Sequence, residues 1–200
     1  MTMTEQQPYE VVQRFPAFEL RRYPSYVVAE VEVQSSFDRA GNAAFRTLFG
    51  YINGGNAAQQ SLAMTAPVLQ ESGQPQKIAM TAPVLQSADT GPDGTNGAFV
   101  VAFVLPADMT EDTAPVPSSP DVTVKAVPGS TAAVLRFSGR STEEAFAQRT
   151  RELEEAIRDA SLTPLGPPRY ARFDPPYKPW FLRRNEVVQD VSNPMAGDTL

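Results

Sequence analysis

The chain has 200 residues, 42% of them hydrophobic and 20% charged, and a net charge of −6 at pH 7. That balance is globular rather than disordered, and the length suits one domain with a core of its own. The acidic charge speaks against nucleic acid, which is bound through phosphate neutralisation, and the lack of cysteine and histidine excludes disulfides, thiolate chemistry and Ser-His-Asp catalysis.

The opening MTMTEQQPYE has neither a basic start nor an apolar stretch, so residues 1–8 read as a disordered tail and not as a secretory signal. The expected location is the cytoplasm, and no apolar run reaches the length of a membrane span. Residues 9–33 read as strands broken at Pro16 and Pro24. Within them Val27, Ala29, Val31 and Val33 alternate with Glu30 and Glu32, the period of a half-buried strand. The doublet Arg21-Arg22 is expected to face solvent. Ser35 and Ser36 offer N-caps to an amphipathic helix. Its apolar positions Phe37, Ala40, Gly41, Ala44, Phe45, Leu48, Phe49 and Ile52 recur at three- and four-residue steps. Asn53-Gly54-Gly55-Asn56 ends it, because glycine and asparagine tolerate a left-handed cap.

Two nearly identical phrases follow, LAMTAPVLQ at 62–70 and IAMTAPVLQ at 78–86. As arms of a hairpin folded about Gln74, they set Met64 opposite Val84, Ala66 opposite Ala82, and Val68 opposite Met80 on one face. The rival is a pair of metal-binding methionines. In this register their α-carbons stand roughly 13 Å apart, a poor start for two sulfurs on one metal. A repeat architecture is the third possibility, but the order of elements repeats only as two halves of the chain, a period far too long for a solenoid.

Beyond a polar loop, AFVVAFVLP reads as a buried strand and 109–121 as a proline-rich surface crossing. DVTVKAV and STAAVLRFSG are strands turned at Pro128-Gly129. Residues 141–160 form a second helix, with Ser141 and Glu144 as a capping box and Phe146, Leu153, Ile157 and Ala160 along one side. RYARFDPPYKPWFLRRNEVVQDV gives a strand, a proline-aromatic loop and a closing strand, and 192–200 a flexible tail. The pattern of strands, helix, strands thus occurs twice. It predicts two similar halves, with both helices laid on a mainly antiparallel sheet or barrel.

YVVAEVEV before a helix, YINGGN, the MTAPV phrases, FVLP with its crossing, FSG, and FDPPYKPWFLRRNEVV together resemble the SOUL/haem-binding-protein family over 9–191. The resemblance implies an α+β domain: a distorted antiparallel β-barrel of pseudo-twofold βαββ-type halves, with two long helices packed outside. It implies a groove for haem, another tetrapyrrole or a planar hydrophobic molecule, between the first helix and the loop before the last strand. Transport, buffering or sensing would be its use. Carried onto this sequence, the groove takes Phe45, Leu48 and Phe49 from the helix and Tyr177, Lys178, Trp180, Phe181 and Arg183 from the loop. Lys178 matches a family lysine that holds a propionate, and Arg183 and Arg184 are further cations. One branch of the family uses a histidine axial ligand, which is absent here. Haem would therefore be held without one, through porphyrin contacts.

Phe45, Leu48 and Phe49 also fit the buried face of a packed helix, and Arg183, Arg184 and Glu186 fit an ion-paired strand entrance. Two other functions remain in play. An enzyme acting on a small hydrophobic molecule in the same groove would need a carboxylate, lysine or tyrosine of shifted pKa, such as Glu186, Lys178 or Tyr177. An effector-binding or protein-interaction module would follow from the wider gyrase-inhibitor-like fold group by analogy alone.

Overall fold

A computed structural model describes residues 5–57, 65–66, 68–72, 97–174 and 177–192. The strands are β1 (Glu5–Gln6), β2 (Glu10–Arg14), β3 (Glu19–Tyr23), β4 (Tyr26–Ser35), β5 (Thr65–Ala66), β6 (Val68–Ser72), β7 (Gly97–Val104), β8 (Thr123–Val127), β9 (Ser130–Ser138), β10 (Thr163–Pro164), β11 (Arg169–Arg172) and β12 (Arg184–Ser192). The helices are α1 (Phe37–Ile52) and α2 (Glu143–Asp159), with a 3-10 turn at Trp180–Leu182. Among the described residues no helix is long and apolar enough to cross a membrane. Near the N-terminus β1 runs parallel to β5, and Gln7 is buried.

Ten strands form one antiparallel sheet in the order β2-β3-β9-β12-β11-β6-β7-β4-β8, with β10 added beside β12. The two expected halves are β4-α1-β6-β7 and β9-α2-β11-β12, joined where β6 pairs with β11. Each half lends its preceding strand to the other. β3, which leads into β4, pairs with β9, while β8, which leads into β9, pairs with β4.

Both faces of the sheet are buried. On one face α1 covers Val27, Ala29, Val31, Val101 and Phe103, and α2 covers Ala133, Leu135, Phe137 and Val187. Strand alternation turns Val28, Ala102, Val104, Ala132, Val134 and Val188 to the other face, where they meet Tyr23 and Leu69 in a third cluster. Residues from both ends of the sheet share that cluster, so the sheet is rolled.

Among the described residues it is an open sheet, not closed into the expected barrel. At the seam the chain itself crosses, at Pro24-Ser25 and Pro128-Gly129, where a ladder would be needed. Proline has no N–H to donate to such a ladder. The two crossings lie against each other: a β-carbon on Gly129 would come 2.9 Å from the Tyr23 carbonyl oxygen. Glycine is required there by close approach.

The expected hairpin of the twin phrases meets a second correction. Residues 78–86 lie outside the described residues. In the first phrase, however, Val68 is flanked by Phe103 of β7 on one side and Arg172 of β11 on the other. Both edges of β6 at Val68 are thereby taken.

Candidate functional site

The pairing of β9 with β12 sets Ser138 beside Arg184. The segment that follows one and the segment that precedes the other therefore emerge together at one end of the sheet. Asn185 fastens them: its side-chain Nδ2 donates to the Gly139 carbonyl at 3.2 Å, and Ser141 Oγ donates to its Oδ1 at 2.7 Å. Gly139 has φ +133°, a conformation open to glycine. Ser141 is thus engaged sideways, and the cap of α2 is Thr142, whose Oγ1 accepts from Ala145 N at 3.3 Å. This replaces the expected Ser141–Glu144 capping box. The start of α1 reaches the same place, where Asp38 Oδ1 accepts from Glu143 N at 2.9 Å and ties the two helix N-termini together.

Between these segments lies an open groove of about 480 Å³, within the range of small-molecule sites. Asp38, Gly41 and Asn42 of α1 form one wall, Arg140, Ser141 and Thr142 another, and Asp174, Trp180 and Arg183 a third; Arg172 lies beneath. By contrast, the rolled interior beside Tyr9, Arg21 and Glu186 leaves about 20 Å³, room for about one water.

The loop wall is held by Asp174, whose Oδ1 pairs with Lys178 Nζ at 2.6 Å and whose Oδ2 accepts from Arg184 N at 2.6 Å. Burial would raise this carboxyl's pKa, but the Arg184 N–H and the Lys178 ammonium outweigh it and hold it below its ordinary value. The stabilisation it contributes is complete above the ordinary carboxylate range and is lost as pH falls through the depressed value. Arg183 Nε donates to the Lys178 carbonyl at 2.8 Å, closing the loop on itself.

Trp180 is 50% exposed, and the Arg140 guanidinium stands 5.5 Å from its ring centroid, a cation–π contact. Arg172 stacks over Phe37 at 5.2 Å and Phe146 at 5.4 Å, and Nη1 donates to Gln70 Oε1. Burial pushes its pKa down to about 10, which the Asp38 charge partly opposes; the group stays charged at neutral pH. Among the described residues the site is therefore a guanidinium-rich groove with one aromatic wall.

The residues expected from the sequence take different places. Trp180 and Arg183 line the groove. Leu48 is fully buried in the core under α1, as the packed-helix alternative had it. Phe45 and Phe49 are half-exposed and stacked, with centroids 5.3 Å apart. Each follows the previous residue of the series Gly41, Phe45, Phe49 by four positions, so the pair continues the groove-facing stripe of α1 without lining the groove itself. Tyr177, at 88% exposure, and Phe181 face outward, and Lys178 is committed to Asp174.

Sequence reading missed Arg140, Arg172, Asp38 and Asn42, and it counted Asp174 only as the start of the loop. Their only sequence signal is position, next to strand ends that pair in three dimensions. Arg21, expected in solvent, is buried against Glu186; Arg22 is exposed. Glu186, a candidate base for the enzyme reading, is buried in that ion pair on the far face of β12 and does not line the groove. Among the described residues no cluster of carboxylates, histidines or cysteines could hold a metal ion. Nor do the described residues that line the groove include a methionine, tyrosine or lysine.

The family model described as "SOUL heme-binding protein" matches residues 4–190. None of the curated proteins matches the chain. Among solved structures, the EcmrR C-terminal domain superimposes with a TM-score of 0.60 at 11% identity, over 92% of this chain and 98% of that one. An uncharacterized conserved protein from Listeria innocua gives 0.59 at 12%, over 94% of each chain. A hydrolase from Listeria innocua gives 0.57 at 10%, over 95% of this chain and 94% of that one. At these identities the likeness is one of fold.

Proposed function

The chain belongs to the SOUL heme-binding protein family, and on that premise we propose that it binds haem or a related planar tetrapyrrole in the groove between the start of α1 and the loop before β12. Its use would be transport, buffering or sensing. The observation that carries this reading is one indole wall, Trp180, set among the guanidinium groups of Arg140, Arg172 and Arg183 around one open volume. A flat ring stacks on an indole face, and acidic ring substituents accept charge-assisted hydrogen bonds from guanidinium groups. The groove's side chains fit the porphyrin and its propionates and supply no soft or imidazole ligand to iron. Bound haem would bring its absorbance and redox chemistry; the protein's part is to stack the ring and pair its acids.

Binding should then depend little on the metal. In titrations followed by Soret absorbance for haemin and by porphyrin emission for iron-free protoporphyrin IX, the two dissociation constants should agree within about threefold. Trp180→Ala should weaken both together by roughly tenfold, the worth of one stacking contact of about 1–1.5 kcal/mol. Tight haemin binding without porphyrin affinity would contradict the reading.

A further inference from the structure

We infer that Arg172 makes the floor of this groove an acid-selecting subsite: a planar molecule that carries a carboxylate or other anionic oxygen group is held in preference to a neutral one. The inference rests on the groove being the ligand site and specifies what that site demands. The other inward arginines have carboxylate partners, Arg21 and Arg184 on Glu186 and Arg169 on Asp190. Arg172 has none within 4.0 Å among the described residues. Guanidinium carries five N–H donors, and Gln70 takes one of the Nη1 pair. Phe37 and Phe146 offer ring faces to the cation but no acceptor for the remaining donors.

The nearest acid, Asp38, is committed to Glu143 N on α2, and Lys178 to Asp174. Among the described residues Arg172 is therefore a desolvated charge with no carboxylate paired to it, Asp38 acting on it only at longer range. Its lowered pKa agrees with that account. Gly41 keeps it accessible from the helix side: a β-carbon there would already stand 3.5 Å from Nη1, so any longer side chain would cover it. A ligand oxygen anion arriving along the groove supplies the missing acceptor and charge together.

The test compares two rings that differ in the acid alone, 1-pyrenecarboxylate and 1-pyrenemethanol, by energy transfer from Trp180, the one tryptophan of the chain. The unaltered protein should bind the carboxylate about tenfold more tightly, the effect of one charge-assisted hydrogen bond. Arg172→Gln should erase the preference, and Arg172→Lys should retain part of it. A merely structural role for Arg172 would move both affinities and leave their ratio unchanged. The comparison in the unaltered protein requires no variant to fold. Equal binding of the two probes overturns the inference and leaves the Trp180 groove standing. Failure of both probes and of protoporphyrin IX overturns the groove reading and the inference together.

Discussion

Glu186→Ala is expected to destabilise the protein by about 3–5 kcal/mol, read as a lowered urea midpoint at unchanged slope. The Glu186 side chain is 1% exposed and holds two guanidinium groups. Arg21 reaches it at 2.9 and 3.3 Å, and Arg184 at 2.7 and 3.0 Å. Arg21 is itself 3% exposed, with its ring neighbour Tyr9 at 4.1 Å. Burial would lower its pKa, but the charges and hydrogen bonds of Glu186 and Tyr23 together outweigh it and raise the value. Removal of the carboxylate strands both cations. Glu19 still meets Arg21 at 2.7 Å, and Arg184 lies over Phe173 at 3.9 Å with an edge to solvent, so the loss stays within that range. Exchange of the pair, Arg21→Met with Glu186→Leu, should cost less than the single change, because only Arg184 then loses its carboxylate and the more deeply buried Arg21 cation is gone. Equal or greater cost in the double variant would show that packing, not the stranded charge, sets the penalty.

Phe146→Ala should cost a similar amount, about 3–5 kcal/mol by the same measurement. This ring is fully buried and joins α2 to the sheet, with Phe37, Phe137 and Tyr170 at centroid distances of 5.6, 5.1 and 4.9 Å. Truncation leaves a cavity between α1, α2 and β9 and removes one of the two aromatic faces under Arg172. The groove should register the change too: affinity for protoporphyrin IX should fall in the variant even at temperatures where it remains folded. Unchanged affinity would mean that Arg172 is positioned by Gln70 and Phe37 alone.

The fold was largely legible because its signals are local. Pro16 and Pro24 do separate β2, β3 and β4, and the three- and four-residue spacing from Phe37 to Ile52 does give α1. Two similar halves also followed from the order of elements. What escaped depends on pairing between distant segments. Arg21 sits in the doublet of ELRRY, which looks solvated as a string. Strand alternation sends Arg22 outward and Arg21 inward, to an acid 165 residues away. The twin phrases matched each other so well that a mutual hairpin looked natural, yet β6 is flanked by β7 and β11.

The site shows the same division. Trp180 stood out as a large aromatic in a proline-rich loop, and it does wall the groove. Phe45 and Phe49 shared the helical stripe but lie one and two turns past the groove's helix wall. Arg140 and Arg172 carried no motif. They reach the site because Ser138 pairs with Arg184, and because β11 ends at Arg172 under the gap left by Gly41.

The measurement closest to the central claim is paramagnetic broadening in the amide and indole NMR spectrum on addition of haemin, with zinc protoporphyrin as the diamagnetic control. The indole N–H of Trp180 and the amides of Gly41, Asn42 and Ser141 should vanish first, while those of Lys125 and Val127 on the far edge strand persist. Broadening centred on the sheet edge around Lys125, with Trp180 untouched, would contradict the account.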